Sequence, residues 1–148
     1  MPILASFGAG LFGSFFVSAG VDAWYQHLVK PPLSPPDYVF FIVWLALYAL
    51  MGIACAIVWL HDTPTDHHAN WVRFFFIHLL FNAGWTIFFF GFHSILLSVV
   101  IILLVFFMVL GLTATAYHID KRASYLLMPY LLWLAFAAYL TVGMWALN

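Results

Sequence analysis

The chain is divided by where its charges are missing. No Asp, Glu, Lys or Arg occurs from Met1 to Val21, from Tyr38 to Leu60, from Phe74 to Tyr117, or from Ala123 to Asn148. Crossing a hydrocarbon core of about 30 Å takes about 20 consecutive apolar residues in a helix. Three of these runs fit one span each, and the longest must fold back on itself, with Gly91-Phe92-His93-Ser94 as its polar or flexible break. The spacing therefore predicts spans at roughly 3–21, 38–60, 71–92, 94–117 and 125–146. The runs are continuous rather than alternating, which indicates helices and not barrel strands. The expected fold is all-α, a single membrane domain over 1–148 built as one bundle of five transmembrane helices.

Composition narrows the function classes. With 6% charged residues and a net charge of −1, the chain cannot cover a water-soluble surface and has no basic stripe for nucleic acid. A single cysteine, Cys55, excludes an internal disulfide and a multi-cysteine zinc site. The lipid bilayer is the expected environment. Within the first run, Ser6, Gly10, Ser14 and Ser18 recur every fourth residue, the small-residue face of a packing helix. A cleaved signal sequence is the rival reading, disfavoured by the length of the run and by the lack of a preceding Lys or Arg. Lys121, Arg122 and Arg73 against Lys30 on the other face place the N-terminus in the cytoplasm.

Residues 22–37 contain four of the seven prolines, at 31, 32, 35 and 36, and form a stiff segment, either a lid or a plain connector. Trp24, Trp59, Trp71 and Trp145 fall near span ends, where indoles anchor at the interface. Trp44, Trp85 and Trp133 fall inside spans. Counting rises puts Trp44 and Trp85 about 10 Å below the lid face and Trp133 about 20 Å below it. Helical spacing makes three mixed stripes: Trp44, Tyr48, Met51, Cys55; His78, Asn82, Trp85, Phe89; and Tyr130, Trp133, Ala137, Thr141. Facing one another they would line an aromatic cavity with a few donors; otherwise they are ordinary packing. Asn82 and His78 each serve an interhelical hydrogen bond or, for His78, a haem iron. Arg73 snorkels to the interface.

His61, Asp62, Asp66, His67, His68, His118 and Asp120 gather on one face, but no His-x3-His pair fixes a geometry. A solvated polar edge accounts for them, and no metal is assigned. No phosphate loop, hydrolase elbow or paired membrane carboxylates are present.

Four segments in order carry a family resemblance: Trp24-Tyr25-x2-Leu28-x-Lys30-Pro31-x3-Pro35-Pro36; Val43-Trp44-x3-Tyr48-x3-Gly52; Asn82-x2-Trp85-x2-Phe88-Phe89-x-Gly91; and Leu127-x-Pro129-Tyr130-Leu131-x-Trp133-x2-Phe136-Ala137-x-Tyr139-Leu140. Together they resemble the translocator protein family, also called tryptophan-rich sensory proteins or peripheral-type benzodiazepine receptors. The resemblance implies a homodimeric bundle in a bacterial cell envelope, the inner membrane favoured over the outer. It implies a receptor or sensor for porphyrins such as protoporphyrin and haem, taken as ligands with no cofactor required, and a role in tetrapyrrole transport or regulation. Carried over by motif, the ligand-binding residues are Trp24, Lys30, Trp44, Tyr48, Asn82, Trp85, Trp133, Ala137 and Leu140. Light-dependent porphyrin breakdown, with Trp44 and Trp133 as the catalytic pair, and export of hydrophobic molecules are the alternatives it implies. Lys30 and His27 are the cations available to porphyrin propionates. Leu33 stands where many members carry a loop tryptophan and Asp37 where animal members have a histidine. No Lys or Arg follows Tyr139, so the sterol motif is absent.

Overall fold

The computed structural model describes Gly8, residues 24–61 and residues 66–148. A short 3-10 turn, Tyr25–His27, precedes four long helices: α1 (Asp37–Trp59), α2 (Asp66–Gly91, whose last five residues are a π-helix), α3 (Ile95–Ile119) and α4 (Lys121–Leu147). Each is long and apolar enough to cross a membrane. Large apolar side chains such as Phe41, Leu80, Phe107 and Leu132 point outward, as a lipid-facing surface requires. The chain is a multi-pass membrane protein.

The expected five-helix bundle is corrected here: the described residues hold four helices, and the expected span 3–21 lies outside them. Among the described residues, α4 packs along α3 and on α1, and α2 packs on α3 and more sparingly on α1, so the four helices close a ring.

Boundaries also shift. α2 begins at Asp66 rather than near 71, and α4 begins at Lys121 rather than near 125. Hydropathy marks where a chain enters lipid, while the helix itself starts at a cap. Asp120 supplies the cap for α4, its carboxylate accepting from the Arg122 backbone N–H at 2.8 Å and from the guanidinium at 2.9 Å. The loop expected over 118–124 is thereby reduced to Asp120 alone. α1 starts where Pro35 and Pro36 can no longer continue a helix backward, with Asp37 in its first turn beside the positive helix end.

Polar ties join the helices where lipid offers no partner. The Trp71 indole donates to the Leu112 carbonyl at 2.9 Å, linking α2 to α3, and the Ser124 hydroxyl donates to the Thr113 carbonyl at 2.9 Å, linking α4 to α3. Inside the ring the core is close-packed around Met51, Cys55, Phe75, Val105, Leu127 and Leu134.

Candidate functional site

The proline-rich segment is a cover tied down at several points. Asn148 grips Val29 from both sides: its side-chain carbonyl accepts the Val29 N–H at 2.9 Å, and its amide donates to the Val29 carbonyl at 3.0 Å. The Tyr139 hydroxyl donates to the Pro32 carbonyl at 3.0 Å. Pro31 lies so close to Gly143 that a Cβ there would stand 2.8 Å from the proline ring, which only glycine permits. Trp24 stacks on His93 at 4.5 Å and meets Phe89 edge-on at 5.5 Å, pinning the front of the cover to the α2–α3 turn. These contacts hold residues 24–36 across this end of the bundle.

Beneath it lies a cavity of about 50 Å³ lined by Tyr25, Ser34, Asp37, Phe40, Trp85, Phe89, Phe90, Ala137, Leu140, Thr141 and Met144. The π turn at the end of α2 helps to shape it. Phe92 N–H reaches back to the Ile87 carbonyl at 3.0 Å, and the wider turn lets Phe89 and Phe90, adjacent in sequence, both face inward.

All residues of the three sequence stripes are buried except Trp133, which is partly so. Trp44 and Trp85 lie nearly parallel with centroids 6.3 Å apart, and Trp85 stacks on Phe89 at 5.8 Å. Phe40 joins Trp44 at 6.4 Å to Trp133 at 5.3 Å. The depths counted along the helices separated those two indoles, because a residue count carries neither helix tilt nor side-chain reach. The indole N–H groups of Trp44, Trp85 and Trp133 are all buried, and none has an acceptor among the described residues. A buried donor left unpaired costs about 1–3 kcal/mol.

A hydrogen-bonded chain lies below the indoles. Asn82 donates to the hydroxyls of Tyr48 at 3.4 Å and Tyr130 at 3.1 Å, joining α2 to α1 and α4. His78 Nδ1 donates to the Phe75 carbonyl, which leaves Nε2 to accept the Tyr130 hydroxyl at 3.4 Å. Asn82 and His78 are thus accounted for by interhelical bonding, and Trp44 rests against both tyrosines.

Of the residues expected to bind ligand, Trp85, Ala137 and Leu140 line the cavity, Trp44 and Trp133 stand behind it, Tyr48 and Asn82 lie deeper, and Trp24 belongs to the lid. Lys30 does not line it; its ammonium sits 4.0 Å from the Asp37 carboxylate and 4.1 Å over the Tyr25 ring. Burial, and after it the Asp37 carboxylate, raises the Tyr25 phenol above its ordinary value. Sequence reasoning missed Asp37, Ser34, Phe40, Phe90 and Met144 as cavity wall, and only the adjacency of Asp37 to the proline run hinted at any of them.

At the opposite end of the bundle His61, His67, His68 and His118 border an open cleft of about 780 Å³ with Trp71, Phe74, Gly111 and Leu112. The two loops do share one face. Among the described residues, no group of three His, Cys, Asp or Glu side chains converges as a metal would need.

Comparison with known proteins agrees with this geometry. Residues 2–146 match the model of the TspO/MBR family. The chain is 37% identical over 146 residues to the tryptophan-rich protein TspO of Archaeoglobus fulgidus, covering 99% of this chain and 94% of that one. It is 41% identical over 140 residues to the tryptophan-rich protein TspO of Chlorobaculum tepidum, covering 94% and 88%. It is 33% identical over 155 residues to the translocator protein of Bos taurus, covering 99% and 86%.

Proposed function

This chain belongs to the TspO/MBR family, and from that premise we propose that it is a membrane receptor for porphyrins and similar flat, bulky hydrophobic ligands, held under the proline-rich lid among Trp44, Trp85 and Trp133. The observation that carries the reading is the set of three buried indole N–H groups with no acceptor among the described residues, one on a ring that lines the cavity and two on rings behind it. A packing core of this kind would pair them or replace them with phenylalanine. A ligand bringing ring-nitrogen or carbonyl acceptors recovers the desolvation cost of each donor, and its flat face stacks on rings already near parallel.

The cavity as it stands holds a water or two, whereas sites for drug-sized ligands measure about 300–1,000 Å³. Binding therefore requires the lid to lift and Phe89 and Phe90 to turn. The test is titration of the detergent-solubilised protein with protoporphyrin in the dark, followed by tryptophan quenching. Trp44→Phe and Trp85→Phe keep the aromatic wall and delete the donors. Each is expected to weaken binding about fivefold or more while leaving the melting temperature of the free protein unchanged or higher. Undiminished affinity in both variants removes the argument.

Light-driven porphyrin turnover is the second reading, favoured by the contact of Trp44 with Trp85, Tyr48 and Tyr130, which places oxidisable rings in series beside the ligand. Loss of the bound porphyrin with formation of a new product under illumination, slowed in Trp44→Phe and Trp133→Phe, distinguishes it from binding alone.

A further inference from the structure

We infer that Asp37 is a specificity-determining residue at the mouth of the lid cavity, selecting against ligands whose exposed edge carries carboxylates and in favour of tetrapyrroles whose edge is esterified or otherwise uncharged. This rests on the receptor reading above and names the ligand class within it.

The cavity carries polar groups at two levels. The Trp85 ring lines it with Trp44 beside that ring, and both indole N–H groups are buried with no acceptor among the described residues. Its rim offers an acceptor in Ser34, whose hydroxyl gives its proton to the Pro31 carbonyl at 2.8 Å, and deeper in the wall the fully buried Thr141 hydroxyl gives its proton to the Ala137 carbonyl at 2.8 Å. Each can then turn only lone pairs toward a ligand. Asp37 adds a carboxylate to the same rim. It stands in the first turn of α1, beside the positive helix end.

Lys30 is the one lysine or arginine at this end of the bundle among the described residues, and Asp37 holds it. Its ammonium lies 4.0 Å from one carboxylate oxygen, while the Gln26 amide donates to the other at 3.5 Å. Asp37 lines the cavity and Lys30 does not. A ligand carboxylate arriving at the mouth therefore meets the acid first and must displace it to reach the cation. An ester carbonyl at the same position carries no charge to be repelled. Removing the acid while keeping its shape reverses the field, because Lys30 and the amino end of α1 would both then draw an anion.

The experiment compares protoporphyrin with its dimethyl ester on the full-length protein in detergent, for the wild type, Asp37→Asn and Asp37→Glu, by tryptophan quenching in the dark. Asp37→Asn is expected to tighten the diacid by roughly three- to tenfold, the range of a partly exposed charge contact, with the ester unchanged within about twofold. Asp37→Glu is expected to behave as the wild type. The gain should shrink as salt is raised toward 1 M. Unaltered ester affinity doubles as evidence that the variant is folded. Equal shifts for acid and ester, no shift for either, or a gain indifferent to salt overturns the assignment of Asp37. Failure of the wild type to bind either compound refutes the receptor reading, and the assignment falls with it.

Discussion

Replacing Gly143 with alanine tests whether the lid controls entry. The added Cβ would stand 2.8 Å from Pro31 Cβ and 2.9 Å from Pro31 Cγ, whereas carbon atoms rest at about 3.5–4.0 Å. Since both the helix and the proline ring are stiff, the lid must retreat by about 0.7–1 Å, and overpacking of this kind costs about 1–3 kcal/mol. What opposes the retreat is the two-sided grip of Asn148 on Val29 and the bond from Tyr139 to Pro32. Each such bond is worth about 0.5–1.5 kcal/mol net, so the strain is comparable to the whole latch. If ligand enters only past a lifted lid, the open population and the association rate rise together, by about tenfold for each 1.4 kcal/mol. Stopped-flow quenching by protoporphyrin should therefore show Gly143→Ala associating at least about fivefold faster than the wild type. Gly111→Ala is the control, because nothing lies within 4 Å of a Cβ there; its association rate should be unaltered. A Gly143→Ala protein with a lowered melting temperature but the wild-type association rate would show that ligand enters elsewhere, between helices rather than under the lid.

Two further outcomes follow from the contacts. Asn82→Leu removes the donor shared by Tyr48 and Tyr130 and should lower stability by about 1–2 kcal/mol in detergent unfolding. Combined with Tyr130→Phe it should cost less than the two single changes together, because both act on one chain; strict additivity would mean that the chain carries no coupling. Asp120 predicts a pH effect. The Arg122 guanidinium, chiefly by hydrogen bonding, holds the Asp120 carboxyl below its ordinary value. A lowered folded-state value stabilises above the unfolded one, near pH 4, and the contribution is lost as pH falls through the folded one. Thermal melts of wild type and Asp120→Ala should differ at pH 7 and converge below about pH 4. A gap that does not narrow at all as pH falls below 4 would assign the effect to neutral capping.

Much of this arrangement could be read from the residues because lipid makes polar and charged positions rare. With few charges to place, the breaks between spans stand out, and the turn at Gly91–Ser94 falls where the sequence indicates. The inward stripes could be read for the same reason: Asn82 and His78 cannot face acyl chains, and the residues at helical spacing from them follow inward. Helix starts were less visible, since Asp66-His67-His68 is polar yet helical and Asp120 caps α4 within a stretch that reads as loop. The expected count of five includes the run 3–21, which lies outside the described residues, and those residues hold four helices. At the site, the pairing of Lys30 with Asp37 was hidden, as was the inward turn of Phe90. The first depends on how the prolines fold the lid back, and the second on a π turn that no 3.6-residue periodicity contains.

The small size of the cavity is itself a consequence of the proposed function. A dry void large enough for a tetrapyrrole, about 400 Å³ at about 24 cal/mol per Å³, would cost about 10 kcal/mol, which is most of the stability of an ordinary domain. A chain that spends time without ligand cannot hold such a space open. It must fill the space with its own movable parts, and the parts found there are of that kind: two phenylalanines on a π turn, and a lid fastened by three side-chain hydrogen bonds to α4. What the chain cannot fill are the donors. Phe89 stacks on Trp85 but offers its indole nothing to bond, so the described residues leave three indole donors short of acceptors. That deficit biases the equilibrium toward any ligand able to supply them. In the layer beneath, Asn82, Tyr48, Tyr130 and His78 satisfy one another, and Trp44 rests on both tyrosines, so binding that lifts the lid would leave that indole anchored.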